Sequence, residues 1–163
     1  MKKTAIVLIM LSAAAAAQVQ ASDLEYSVGL GLSADNNHIV GSSDETYIFR
    51  AGVIADESHR FLGTYTFSND SKLSKYMGSY DYLYSLDDAK RFNLVTGVTV
   101  GYKYQDTKAL DNKGHYVYGG QAGFNYRITK NISTEIGYRL LNASSQESES
   151  YNDEAYLTMD YIF

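Results

Sequence analysis

The 163 residues contain no cysteine, no proline and no tryptophan. Without cysteine there are no disulfides and no thiolate metal sites, so an exported chain of this size needs another source of order. The sequence shows no run of basic residues of the kind that holds nucleic-acid phosphates, and nothing in the charge favours nucleic acid. Histidine occurs three times, as His38, His59 and His115, with no short spacing that would make a metal site. After residue 21 no stretch approaches the ~20 apolar residues of a spanning helix. The mean hydropathy is negative, as in soluble proteins. That average does not exclude a membrane, because a barrel strand needs only ~10 residues with apolar side chains at alternate positions. Tyrosine, by contrast, is abundant, at 16 residues.

The chain opens with Lys2 and Lys3, followed by an uncharged, largely apolar run from Thr4 to Ala17 and the short side chains of Val19 to Ala21. This is the pattern of a secretory signal peptide, expected to be cleaved after Ala21. The remaining segment, 22–163, has 163 − 21 = 142 residues and suits one domain. Removing two lysines takes the formal charge from −5 to −7.

Eight segments alternate with a period of two, which is the signature of strands. In the last of them Leu157, Met159, Tyr161 and Phe163 share one face and Tyr156, Thr158, Asp160 and Ile162 the other. The connections 56–58, 86–91 and 129–131 are short; 35–45, 69–75, 105–113 and 142–153 are mostly longer. Short turns at one end and longer loops at the other are the habit of outer-membrane barrels.

Large aromatics lie near the ends of the apolar stripes. Tyr26, Phe61, Tyr84, Phe92, Tyr126, Tyr161 and Phe163 fall at the turn end; Tyr47, Phe67, Tyr76, Tyr102, Tyr104, Tyr116 and Tyr118 fall at the loop end. These are expected to form two girdles at the membrane interfaces. The opposite faces carry glycine repeatedly and charges of both signs: Glu25, Arg50, Asp81, Lys103, Glu135, Arg139, Glu154 and Asp160. The expectation is an all-β, eight-stranded antiparallel up-and-down barrel with apolar side chains toward lipid. Its narrow lumen would be plugged by paired charges. Arg139 and Glu154 flank the last loop and are expected to pair. With no ninth strand, the last must close on the first, as lipid requires of any sheet edge.

This pattern resembles the small outer-membrane barrel families: outer-membrane protein X with its attachment–invasion relatives, the opacity-type barrels, and the transmembrane domain of outer-membrane protein A. The resemblance covers essentially all of 22–163 and is most specific at "GGQAGFNYRITKNISTEIGYRLLN" (119–142) and at the terminal "YLTMDYIF". It implies outer-membrane residence with both termini in the periplasm, contact with lipid and lipopolysaccharide, and reading of Leu157, Met159, Tyr161 and Phe163 by the barrel assembly machinery. It also suggests envelope support and surface interaction, with a host or surface ligand at the loops. A narrow porin-like channel and a lipid-modifying enzyme are the alternatives. An enzyme of that kind needs His with Ser and a carboxylate near the outer interface, and no such motif is recognisable around His115. The loop carboxylates Asp44, Glu45, Glu147, Glu149 and Asp153 lack the spacing of a calcium loop. Neither a cofactor nor a metal is expected.

Overall fold

The computed structural model describes residues 24–35, 46–68, 73–105, 114–143 and 151–163. The expected signal peptide, His38 and the loop carboxylates Asp44, Glu45, Glu147 and Glu149 lie outside these residues. Eight strands follow one another: β1 (Leu24–Asp35), β2 (Thr46–Ala55), β3 (His59–Ser68), β4 (Leu73–Ser85), β5 (Phe92–Gln105), β6 (Gly114–Arg127), β7 (Ile132–Ala143) and β8 (Tyr151–Ile162). Each pairs antiparallel with the next, and β8 pairs with β1, so the sheet closes into a barrel. The backbones of Tyr26 and Phe163 exchange two hydrogen bonds, of 3.0 and 2.9 Å, which carry the pairing to the final residue.

Closure is staggered. The hydrogen-bonded row that starts at Glu25 runs through Ile54, Arg60, Asp81, Gly97, Gln121, Arg139 and Glu154. It meets β1 again at Asp35, 35 − 25 = 10 residues further on. This shear tilts the strands and leaves an interior that side chains just fill.

The alternation decides which side chains enter it. Val28, Leu30, Leu32, Val98, Val100, Phe124, Ile136, Leu140, Leu157 and Met159 are exposed on the outside, while arginines and carboxylates are buried within. A water-soluble barrel would reverse this arrangement, since large contiguous apolar surface is rare on soluble monomers. Rings from neighbouring strands pair near both rims, some stacked and others tilted or edge-to-face. Tyr26–Phe163 (6.1 Å) and Phe92–Tyr126 (4.6 Å) lie at the turn end; Tyr47–Phe67 (5.3 Å), Tyr65–Tyr76 (4.8 Å) and Tyr102–Tyr116 (5.4 Å) lie at the loop end.

Several strands extend beyond their apolar alternation. β4 begins at Leu73 and β8 at Tyr151, inside segments whose polar residues on both faces give no period-two signal. The connection between β3 and β4 therefore shrinks to residues 69–72, no longer than the turn at 128–131. At the β2–β3 turn Asp56 and Glu57 take φ of 51° and 57°, and Ser58 N–H donates to the Ala55 carbonyl at 3.2 Å. Two left-handed central residues match the right-handed twist of the strands they join.

Candidate functional site in the barrel lumen

Four cations and four carboxylates meet in the lumen among the described residues, all buried: Arg50, Arg60, Lys75 and Arg139 with Asp81, Glu135, Glu154 and Asp160. Charges so far from water demand partners, and the register supplies them. Glu135 on β7 accepts from both Arg50 (3.1 Å) and Arg60 (2.5 Å). It also accepts from the Tyr156 hydroxyl (3.0 Å) and Asn125 (3.3 Å). Arg60 donates from Nε (3.0 Å) and Nη2 (2.7 Å) to one oxygen, Oδ2, of Asp81. Arg50 Nε donates to Asp160 at 2.6 Å. Arg50 with Asp160 and Arg60 with Glu135 each reach both oxygens of the carboxylate, which is the strong form of the ion pair.

Glycines make the longer reaches possible. Gly29 stands between Arg50 and Asp160 in its row, so the two side chains bond across a position that has none. Gly97 stands in the same way between Asp81 and Gln121, whose amide donates to the Asp81 carboxylate. A Cβ on Gly29 would collide with Asp160, and one on Gly97 with Asp81.

Toward the loop end, Lys75 bonds Glu154 at 3.2 Å. Arg139 faces Glu154 across the β7–β8 register and stands 3.8 Å from it. Its Nε donates to Gln121 Oε1 (2.8 Å), and its guanidinium lies 5.1 Å from the centre of the Tyr156 ring. Arg139 also donates from Nη1 to the Met77 sulfur at 3.5 Å, so its hydrogen bonds go to Gln121 and Met77, while Glu154 takes one from Lys75. Two apolar clusters share the lumen with the charges: Ile54, Leu83, Val95 and Ile162 in one, Met77, Val117 and Leu141 in the other.

Glu25 and Lys103 lie apart from this network. Glu25 sits half-buried at the turn-end mouth, where Arg127 binds it. Lys103 is half-buried, opposite Lys75 and His115 in the register. Arg60, Lys75 and Arg127 lie outside the period-two alternation that marks the strands in the sequence. Arg60 falls one residue before its strand's apolar alternation, Lys75 within a segment read as loop, and Arg127 one residue past its strand's last aromatic.

The described histidines do not assemble a catalytic set. His59 shares a 2.7 Å hydrogen bond with the Tyr80 hydroxyl and packs on Tyr82. Asp153 accepts from the Tyr138 hydroxyl at 2.9 Å. Among the described residues no group of three or more His, Cys, Asp or Glu side chains could hold a metal. No helix among them is long and apolar enough to cross a membrane, which says nothing of crossing by strands.

Several solved outer-membrane barrels share this architecture. The N-terminal β-barrel domain of Pseudomonas aeruginosa OprF superposes with a TM-score of 0.70 at 9% identity, covering 85% of this chain and 97% of that one. Outer membrane protein H (OprH) of P. aeruginosa, solved in micelles, gives 0.64 at 23% identity, covering 87% and 100%. Neisserial surface protein A (NspA) gives 0.61 at 14%, covering 86% and 97%. This chain has the fold of the small outer-membrane barrels. At these identities the likeness is one of architecture. No family model matches the sequence, and no curated protein does. The eight-stranded expectation stands, with the whole shared fold contained in the barrel.

Proposed function

We propose that the chain is a non-enzymatic outer-membrane protein that supports the envelope and presents its four loops for surface interaction, with a lumen closed to solutes. The observation that carries this reading is the lumen itself. Among the described residues, four buried cations balance four buried carboxylates there, and two apolar clusters share the space. A conducting pore needs a wetted path, and an interior of eight strands is filled by its side chains.

On this reading residues 1–21 direct export and are removed, and both termini lie in the periplasm. The short turns at 56–58, 86–91 and 128–131 share the end at which Tyr26 and Phe163 are joined, which supports that orientation. Leu157, Met159, Tyr161 and Phe163, all exposed, form the outward stripe offered to the barrel assembly machinery. Lipid and lipopolysaccharide surround the barrel, and a host or surface ligand meets the loops. Planar-bilayer recording of the purified barrel tests the closed lumen: no steady conductance is expected. A sustained open state in the wild type would overturn it in favour of a narrow channel.

A further inference from the structure

The exposed cations among the described residues are gathered in one place. Among the described residues, each exposed lysine or arginine, namely Lys90, Arg91 and Lys130, lines a single cavity of about 440 Å³ at the turn end, and half-buried Arg127 joins them. The cavity lies among the β2–β3 turn, which contributes Glu57, and the β4–β5 and β6–β7 turns, which supply its cations and are neighbours because β5 pairs with β6. The rest of the chain is acidic, so this concentration runs against the overall charge.

The local carboxylates do not use it up. Glu57 accepts from Lys90, whose ammonium holds the Glu57 carboxyl below its usual range. Glu25 binds Arg127. Asp87 lies on the same turn and accepts from the Phe92 N–H at 2.8 Å; Asp88 beside it is exposed. Arg91 is held by neutral groups, donating to the Tyr126 hydroxyl at 2.7 Å with its guanidinium 5.3 Å from that ring's centre. Neither Arg91 nor Lys130 is bound to a carboxylate among the described residues. Two cations therefore face the cavity with charge to spend.

We propose that this cavity binds the phosphate of an anionic phospholipid from the membrane leaflet at the turn end. Arg91 stands on the Phe92–Tyr126 ring pair, at the level where aromatic girdles meet headgroups. Ile128, also lining the cavity, and Leu86 on the neighbouring turn are exposed apolar side chains that fit the glycerol and upper acyl region. A basic pocket at the interface with apolar flanks suits a lipid headgroup, and a guanidinium matches a phosphate by paired hydrogen bonds.

The test is NMR titration of the full barrel in zwitterionic micelles with short-chain phosphatidylglycerol. Saturable shifts confined to residues 89–91 and 127–130 are expected. The Arg91→Gln/Lys130→Gln double variant is expected to weaken them at least tenfold. Heat-modifiability on a gel and an unchanged spectrum elsewhere show separately that the variant is folded and that the chain is a barrel. Short-chain phosphatidylcholine at equal concentration should give no saturation. Three results would each overturn the proposal: inorganic phosphate saturating the site as well as the lipid does, a soluble peptidoglycan fragment binding more tightly than the lipid, or lipid shifts that the double variant leaves unchanged.

Discussion

Gly97 and Gly29 do their work by having no side chain. Each occupies a lumen position whose two register neighbours bond to one another across it. Gly97→Ala would press a methyl into Asp81 and into the Tyr80 carbonyl, a rigid neighbour that cannot swing aside. Overpacking of this kind costs about 1–3 kcal/mol, and urea unfolding in detergent should show the loss. The Glu154 contacts make a sharper forecast. Lys75 hydrogen-bonds Glu154 at 3.2 Å, whereas Arg139 stands at 3.8 Å with its Nε committed to Gln121. Double-mutant cycles should give Lys75–Glu154 a coupling on the order of 1–3 kcal/mol and Arg139–Glu154 a smaller one. Equal couplings would mean that distance does not rank these pairs. The facing of Arg139 and Glu154 was readable from two strands flanking one loop. The Arg50–Glu135 contact was not, because it joins β2 to β7 across the lumen and depends on barrel closure and on which positions lack side chains.

At the scale of the element, each strand is defined by contrast between its faces. β5 shows it clearly: Leu94, Thr96, Val98 and Val100 are exposed, while Val95 and Thr99 are buried. Charge placed outside at mid-strand has no water to reach. Val98→Arg should destabilise the folded barrel by ~2–4 kcal/mol in lipid, and Leu86→Arg, on a turn at the interface, by only ~0–1 kcal/mol. Reversible unfolding in phospholipid vesicles would check the ratio; equal costs would contradict a lipid midplane at Val98. This alternation is the part of the fold that the sequence displays openly. It fades where both faces turn polar, as at Leu73–Lys75 and Tyr151–Glu154, and there the strands run further than the pattern indicates. Those polar ends carry Lys75 and Glu154, so the uncertainty in strand length hid a member of the lumen network.

For the whole molecule, closure turns eight two-faced strands into an object with a dry exterior and a charged interior. No disulfide and no second domain is needed: the backbone is paired around the ring from β1 to β8, and the buried charges of the lumen are paired within it. The ring cannot be opened at one seam without exposing sheet edges to lipid, which gives the β1–β8 pairing its weight. The natural absence of cysteine offers a direct test of the inversion. Single cysteines at residues 94 to 100, labelled with a fluorophore in vesicle-reconstituted protein, would be read against a quencher fixed to the lipid acyl chains. Strong quenching is expected at 94, 96, 98 and 100, with little quenching or poor labelling at 95, 97 and 99. Quenching without that period, or even-numbered positions reached by a water-soluble quencher and spared by the lipid one, would contradict a barrel that wears its apolar side outward.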